Sequence, residues 1–257
     1  MKIAGQLRHD IIEHYLENET TEVCGVIVDG KYVRVANVCE TEVLLDENEE
    51  PVLLDGEPVN KALDNFEFSK ADTKKYIIGK KASAIVHSHV NGKMYPSVHD
   101  QQQQIATGIP WVIVGRNGVG AIEIFHWGEK TILDSPLYER EFRHGVTDCY
   151  EAVRSYFWQE KGVLMPAWPR EDHWWKLDDD LYIANYKEQG FREVDLTTEL
   201  PLKDDVFICK LGSTKYNHAG IHLGGGKGYH HRVGRLSNMQ AIGHYRQAGL
   251  KFFRYEK

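Results

Sequence analysis

Two histidines one residue apart, set at the end of an apolar run, constrain this chain more than any other feature. Ala82-Ser83-Ala84-Ile85-Val86 is small, apolar and partly β-branched, and reads as a buried strand over 82–86. His87-Ser88-His89 follows at once, then seven residues, then Ser97-Val98-His99-Asp100. Side chains at i and i+2 of a strand share a face, so His87 and His89 project together from the strand end. Ser97 is a capping residue for a helix whose first turn carries Asp100. The pattern therefore demands a strand that ends beside a helix start. Two imidazoles and one carboxylate fill three positions of a tetrahedral zinc and leave the fourth open, as in a catalytic rather than a structural site.

A zinc hydrolase also needs a carboxylate to shuttle the proton of its bound water. Glu22 opens the strand Glu22-Val23-Cys24-Gly25-Val26-Ile27 and is the candidate shuttle, and Ser97 is the candidate donor to the developing oxyanion. The set Glu22-x-Cys24-Gly25, followed by His87-Ser88-His89 with Ser97 and Asp100, resembles the JAMM (MPN+, Mov34-like) metallopeptidases. Phe66-Glu67-Phe68-Ser69 and Gly108-Ile109-Pro110-Trp111 are similar to that family as well, and Val90 departs from it, standing where relatives often carry Pro. The resemblance implies Zn2+ held by His87, His89 and Asp100, with His99 a surface residue.

The 257 residues, 42% apolar and 11% aromatic, suffice for one large or two ordinary domains with a sizeable core. The net charge is −7, and the acidic stretch from Glu40 to Glu57 contains no Lys or Arg, which argues against a nucleic-acid or anionic-membrane partner. No apolar run is long enough to span a bilayer, and Met1-Lys2-Ile3-Ala4-Gly5 does not open a secretory signal, so a product made in the cytosol is expected. Cys24, Cys39, Cys149 and Cys209 lie far apart, against a disulfide scaffold or a cysteine zinc site. A helix over 5–17, a strand over 23–28, the Asp29-Gly30 turn and a strand over 32–38 come first. A polar loop over 40–60, a helix over 70–81, a helix over 98–107 and strands over 111–114 and 121–127 complete an α+β module spanning 1–133. The polar stretch 134–146 reads as a linker, and a second α+β unit spans 147–257. Its elements are a helix over 149–161 stopped by Gly162 and strands over 206–210, 218–223 and 228–233.

Cys149 sits at the start of the second unit's helix, behind the capping candidates Thr147 and Asp148. A helix N-terminus favours thiolate over thiol, and its amides can serve an oxyanion. A nucleophilic cysteine then needs a histidine and a group that orients it. His218 is the candidate base. If Gly224-Gly225-Gly226 forms the hairpin loop, Leu223 pairs with Lys227 and Gly220 with His230, and His218 and His230 share a face. A four-residue loop puts His231 there instead, and His222 lies on the His218 face in any regular strand.

Asp148-Cys149-Tyr150, His218-Ala219-Gly220-Ile221 and His230 resemble the NlpC/P60 cysteine peptidases. That resemblance implies a papain-like fold, a triad of Cys149, His218 and His230, and cleavage of peptidoglycan stem peptides. Relatives often place a tyrosine before the cysteine, its hydroxyl assisting the oxyanion. Phe142-Arg143-His144-Gly145 has no hydroxyl there, and Tyr138 is the candidate substitute.

A JAMM module, cytidine-deaminase-like in fold, followed by an NlpC/P60 module resembles the tail-tip assembly proteins of long-tailed, lambda-like bacteriophages. Tyr229-His230-His231-Arg232-Val233-Gly234-Arg235-Leu236-Ser237 also looks like the phage branch of NlpC/P60. The resemblance implies other tail-tip proteins as partners, a peptidoglycan peptide as substrate, and a place in the virion tail tip after synthesis in the host cytoplasm. It implies a zinc (iso)peptidase acting in tail assembly and a cysteine endopeptidase acting at host entry. The rival expectation is a structural component whose two sites are vestigial or serve docking.

Overall fold

The computed structural model describes residues 1–39, 50, 53–54, 57–58, 65–177 and 180–257. The chain forms two compact units, one of residues 1–96 and 103–128, the other of 97–102 and 129–257. Both mix helices with antiparallel or mixed sheet, which is the expected α+β class.

The first unit opens with helix α1 (Gly5–Glu17) and the hairpin of β1 (Cys24–Val28) and β2 (Lys31–Val35). Asp29 and Gly30 both take positive φ, 49° and 75°, as a two-residue turn between twisted strands requires. The ladder with β1 ends at Val35, so β2 is shorter than expected. Strands β3 (Leu53–Leu54) and β4 (Glu57–Pro58) pair as a minimal hairpin; the rest of the polar loop expected over 40–60 lies, apart from Glu50, outside the described residues. Helix α2 (Lys70–Asp72) widens into a π turn over Thr73–Ile78 and stops there, short of the expected 81. Then come β5 (Ala84–His89), α3 (Val98–Thr107), whose residues 98–102 group with the second unit, β6 (Trp111–Arg116) and β7 (Ile122–Trp127).

These strands make a five-stranded sheet in the order β2-β1-β5-β6-β7, with only β5 and β6 parallel. Strand β5 is central and wholly buried. Ala84 and Val86 face the cluster under Ile11 and Tyr15 of α1; by the two-residue period, Ile85, His87 and His89 take the opposite face. The strand begins later and ends later than expected. The parallel ladder with β6 runs on to His89↔Gly115, so the histidines stand inside the strand rather than beyond its end.

The second unit carries α4 (Glu129–Leu133), α5 (Cys149–Tyr156), which runs on as a π turn to Lys161, and α6 (Leu181–Asn185). Gly162, at φ 66°, ends the α5 segment where expected. Strands β8 (Phe191–Glu193), β9 (Val206–Cys209), β10 (His218–Gly224), β11 (Lys227–His230), β12 (Asn238–Ala241) and β13 (Lys251–Tyr255) form an antiparallel sheet in the order β12-β11-β10-β9-β13-β8. Helix α5 buries Ala152, Val153, Tyr156 and Phe157 in a core shared with Ile208, Ala219, Ile221 and Tyr229. The stretch read as a linker is bound into this unit. The Arg140 guanidinium donates to Ser155 Oγ and to the carbonyls of Ser135 and Pro136, and Leu137 O accepts from the Tyr229 and Ser237 hydroxyls. Arg140 is buried among these bonds, while Asp134, Glu139 and Glu141 stay exposed.

Candidate functional site

In the first unit the site grows from the pairing of β1 with β5. The antiparallel register sets Cys24 against His87, and Ser88 N donates to Val23 O at 2.9 Å. One step further along that ladder Glu22 faces His89, and their side chains approach to 4.0 Å. Glu22 is only 3% exposed, His87 0% and His89 5%, so these polar groups sit in low dielectric and need partners. His89 Nδ1 contacts Lys93 O at 2.6 Å, which assigns the ring proton to Nδ1 and turns the Nε2 lone pair inward. His87 Nε2 lies 3.0 Å from His89 Nε2. The His87 ring stacks on Phe66 at 4.8 Å and meets the edges of Trp111 and Trp127.

Helix α3 brings the carboxylate. Asp100 N donates to Ser97 Oγ at 3.1 Å, while Ser97 N and Oγ donate to Asp100 Oδ2 at 2.8 and 2.7 Å. Ser97 thus caps the helix, and its hydroxyl orients the Asp100 carboxylate. His99 is exposed. One ligand atom each from His87, His89 and Asp100 lies within 4.8 Å of the others, and all three residues are buried. Two imidazole nitrogens and a carboxylate oxygen converging on one point are a donor set that fits zinc.

In the second unit Asp148 caps α5. Its Oδ1 accepts from the amides of Tyr150 and Glu151 at 3.0 and 3.1 Å, and its Oδ2 accepts from Gly145 N at 2.9 Å and from the Arg170 guanidinium. Burial raises this carboxyl, but Arg170, His144 and the Gly145 amide outweigh it and hold the pKa at about 2. The next residue is Cys149. Its Sγ lies 4.0 Å from Asn217 O and is hydrogen-bonded by the amide of Ala219, so the sulfur rests against the backbone on both sides of His218. His218 Nε2 lies 2.8 Å from His230 Nδ1, and His230 Nε2 in turn contacts the Gln240 side-chain amide.

Hairpin register creates that pair. Gly220 faces His230, as the three-glycine loop requires, but Gly224 pairs with Lys227 and a bulge between His222 and Gly224 absorbs Leu223. Only Gly225 and Gly226 form the turn, yet the bulge restores the parity. His231 falls outside the pair, its Nε2 on Arg235 O and its ring edge-on to Phe142; His222 is tied to Leu202 O.

Burial, followed by the Asp148 carboxylate, raises the Cys149 thiol. Burial, followed by His230 and Arg232, lowers His218 well below the ordinary imidazole range. These shifts oppose the thiolate expected from the helix start: the thiol and the His218 imidazole are each held in the neutral form. A neutral thiol needs a general base before it can attack, and a neutral imidazole is a group able to serve as one. The hydroxyl missing at Phe142 is found elsewhere. Tyr182 Oη, on α6, lies 3.4 Å from Cys149 Sγ, whereas Tyr138 packs edge-on against Tyr229. Burial and the neighbouring sulfur raise Tyr182, which keeps its proton and can donate it in a hydrogen bond. Nothing local marks Tyr182, Arg170 or Gln240 in the sequence; each arrives by tertiary packing.

Residues 5–127 match the family described as prokaryotic homologs of the JAB domain. The chain is 36% identical to tail tip assembly protein K of Escherichia phage lambda over 157 residues, 61% of this chain and 73% of that protein. It is 31% identical to tail tip assembly protein K of Escherichia phage N15 over 249 residues, 96% of this chain and 93% of that protein. Among solved structures, the NlpC/p60 domain of peptidoglycan hydrolase SagA aligns with 47% of this chain and 90% of its own, at 14% identity and a TM-score of 0.31. An NlpC/P60 family protein from Bacillus cereus aligns with 94% of this chain and 65% of its own, at 13% identity and a TM-score of 0.33. Among the described residues no helix is long and apolar enough to cross a membrane.

Proposed function

We propose a function from one premise: this chain belongs to the family of tail tip assembly protein K. On that premise it is a component of a phage tail tip that docks with other tail proteins. Its second unit is an NlpC/P60-type cysteine endopeptidase that cuts peptidoglycan stem peptides at host entry. The observation that carries this reading is the Cys149 sulfur at a helix N-terminus, held against the backbone flanking His218, with His230 at 2.8 Å from the His218 ring. His218 accepts the Sγ proton as sulfur attacks the scissile carbonyl, then gives it to the leaving amine as the C–N bond breaks. Water hydrolyses the resulting thioester and restores the thiol. His230 orients His218, and Tyr182 Oη and the Ala219 amide donate toward the sulfur.

His87, His89 and Asp100 would hold Zn2+, which would supply an acidified water and a Lewis acid for cleaving a peptide or isopeptide bond during tail assembly. Ser97 fixes Asp100, Lys93 O fixes the His89 tautomer, and Glu22 moves the water proton.

Purified full-length chain incubated with muropeptides under reducing conditions, with zinc loaded, should release stem fragments by mass spectrometry, and Cys149→Ala should not; no cleavage by wild type refutes the second-unit reading. Elemental analysis should find about one zinc per chain in wild type and none in His87→Ala, and a metal-free wild type after zinc reconstitution refutes the first. The name of the relatives favours a second reading, a purely structural assembly role. Phage carrying Cys149→Ala and His87→Ala together that assemble and infect normally, where deletion of the gene blocks assembly, would establish it.

A further inference from the structure

We infer that Gln240 is a positioning residue of the thiol site: its side-chain oxygen, fixed by Tyr245, sets the tautomers of His230 and His218 so that His218 Nδ1 is left unprotonated. The inference rests on the reading of His218 as a peptidase base and adds to it what keeps that base competent. The three side chains make a diagonal line across the sheet. His230 stands opposite Gly220 of β10, and Gln240 of β12 stands opposite Gly228 of β11. Neither glycine has a side chain to fill the place between, and a Cβ at Gly220 would come within 2.7 Å of His230 Cβ. By the two-residue period His218, His230 and Gln240 share one face and reach one another past the glycines. His218 Nε2 lies 2.8 Å from His230 Nδ1. His230 Nε2 meets the Gln240 amide, and the same amide atom lies 3.2 Å from Tyr245 Oη.

The polarity of this line follows from its far end. Burial lowers both imidazoles, helped by His230 at His218 and by Arg232 at His230, so each ring is neutral and carries one proton. Arg232, His231, His244 and Asp148 are the charged or titratable groups that act on the pair. Two arrangements are then open. Either His230 Nε2–H donates to Gln240 and His218 Nε2–H donates to His230, or both bonds are reversed and the His218 proton sits on Nδ1. Tyr245 decides between them. Its buried side chain has Gln240 and the Arg232 guanidinium as hydrogen-bond partners, and a guanidinium only donates. Among the described residues, the Tyr245 proton therefore has Gln240 alone to accept it. The structure sets the amide nitrogen at this point, which would leave that proton without an acceptor. The two ends of an amide are interchangeable in shape, and the other end is hydrogen-bonded to no described residue, so the oxygen belongs here. It accepts twice, from Tyr245 Oη and from His230 Nε2. His230 Nδ1 then accepts from His218 Nε2, and His218 Nδ1 keeps its lone pair for a thiol proton.

NMR of the imidazole nitrogens in the full-length chain, labelled at histidine and held above the ordinary imidazole range of pH, reads the tautomers directly. In wild type, His218 and His230 should both carry their proton on Nε2. Gln240→Met should turn these signals into a mixture and lower kcat for muropeptide cleavage by on the order of a hundredfold, with KM unchanged. Gln240→Glu, which can only accept, should restore the wild-type tautomers and most of kcat. If the amide nitrogen were the working end, Gln240→Glu would be as damaging as Gln240→Met, and that result overturns the inference. So does a wild-type His218 protonated on Nδ1, a measurement that needs no variant to fold, and so do wild-type tautomers that persist in both Gln240→Met and Tyr245→Phe. Cleavage by a wild type with reversed tautomers overturns the inference and leaves the peptidase reading intact. The expected tautomers without any cleavage refute that reading and leave the role of Gln240 in the pair standing.

Discussion

Replacing Asp148 with Asn keeps a side-chain oxygen for the Tyr150 and Glu151 amides but removes the charge facing Arg170. Both groups are buried, at 3% and 7% exposure, and the Arg170 guanidinium reaches Asp148 Oδ2 with two of its nitrogens. Removing one partner of such a pair leaves the other charge buried and unneutralised, at a cost of about 3–5 kcal/mol. The carboxyl's own titration gives an independent measure. A fall from 3.8 to about 2 corresponds to ~2.5 kcal/mol of stability. Because the folded-state value is the lower one, that contribution is complete above pH 3.8 and is lost as pH drops through about 2. Asp148→Ala removes the cap as well and should cost about 1 kcal/mol more than Asp148→Asn. Urea denaturation at neutral pH, followed by the fluorescence of the second unit's tryptophans, measures both variants. In wild type the stability should fall between pH 4 and 2, and in Asp148→Asn that part of the fall should vanish. An Asp148→Asn variant within about 1 kcal/mol of wild type would refute the claim that this ion pair anchors the helix start beneath Cys149.

Three further outcomes follow from the same geometry. Gly220→Ala would bring its Cβ to 2.5 Å from Phe207 Cζ and 2.6 Å from Tyr229 O, and because the second of these is backbone, thermal denaturation should show a loss of about 1–3 kcal/mol. Tyr182→Phe removes a donor at the sulfur, so the pH profile of Cys149 alkylation should move to higher pH; an unmoved profile denies Tyr182 its role. His230, lowered by burial and then by Arg232 to about 4, is neutral in the fold while the unfolded chain takes up its proton near 6.5. Stability should therefore be complete above pH 6.5 and fall by on the order of 3 kcal/mol as pH drops through about 4, and urea midpoints for wild type and His230→Asn across that range check the sign.

The features legible in the sequence are those governed by short range. The two-residue strand period places His87 and His89 on one face, the Ser97 cap sets Asp100 in the first turn of α3, and Asp148 marks the start of α5. Hairpin parity leaves a choice between His230 and His231 in the sequence, and the folded register, with Gly220 against His230, makes it. Even there the turn itself departs from expectation, because a bulge at Leu223 does what a longer glycine loop was expected to do. Polarity misleads over 134–146: a hydrophilic stretch looks the same whether water or a folded partner satisfies it, and here Ser155 and Tyr229 take part of that place.

By itself, then, the sequence determined the two α+β units and which residue types carry the chemistry, since cap, period and parity act over a few bonds. Only the tertiary structure decided what surrounds those residues. Glu22 reaches His89 through the β1–β5 register, and Tyr182 reaches the sulfur from an element 33 residues away. The helix start that favours a thiolate is overruled by burial and by Asp148. Desolvation and long-range contacts depend on what the whole chain brings together, and no local stretch of sequence contains them.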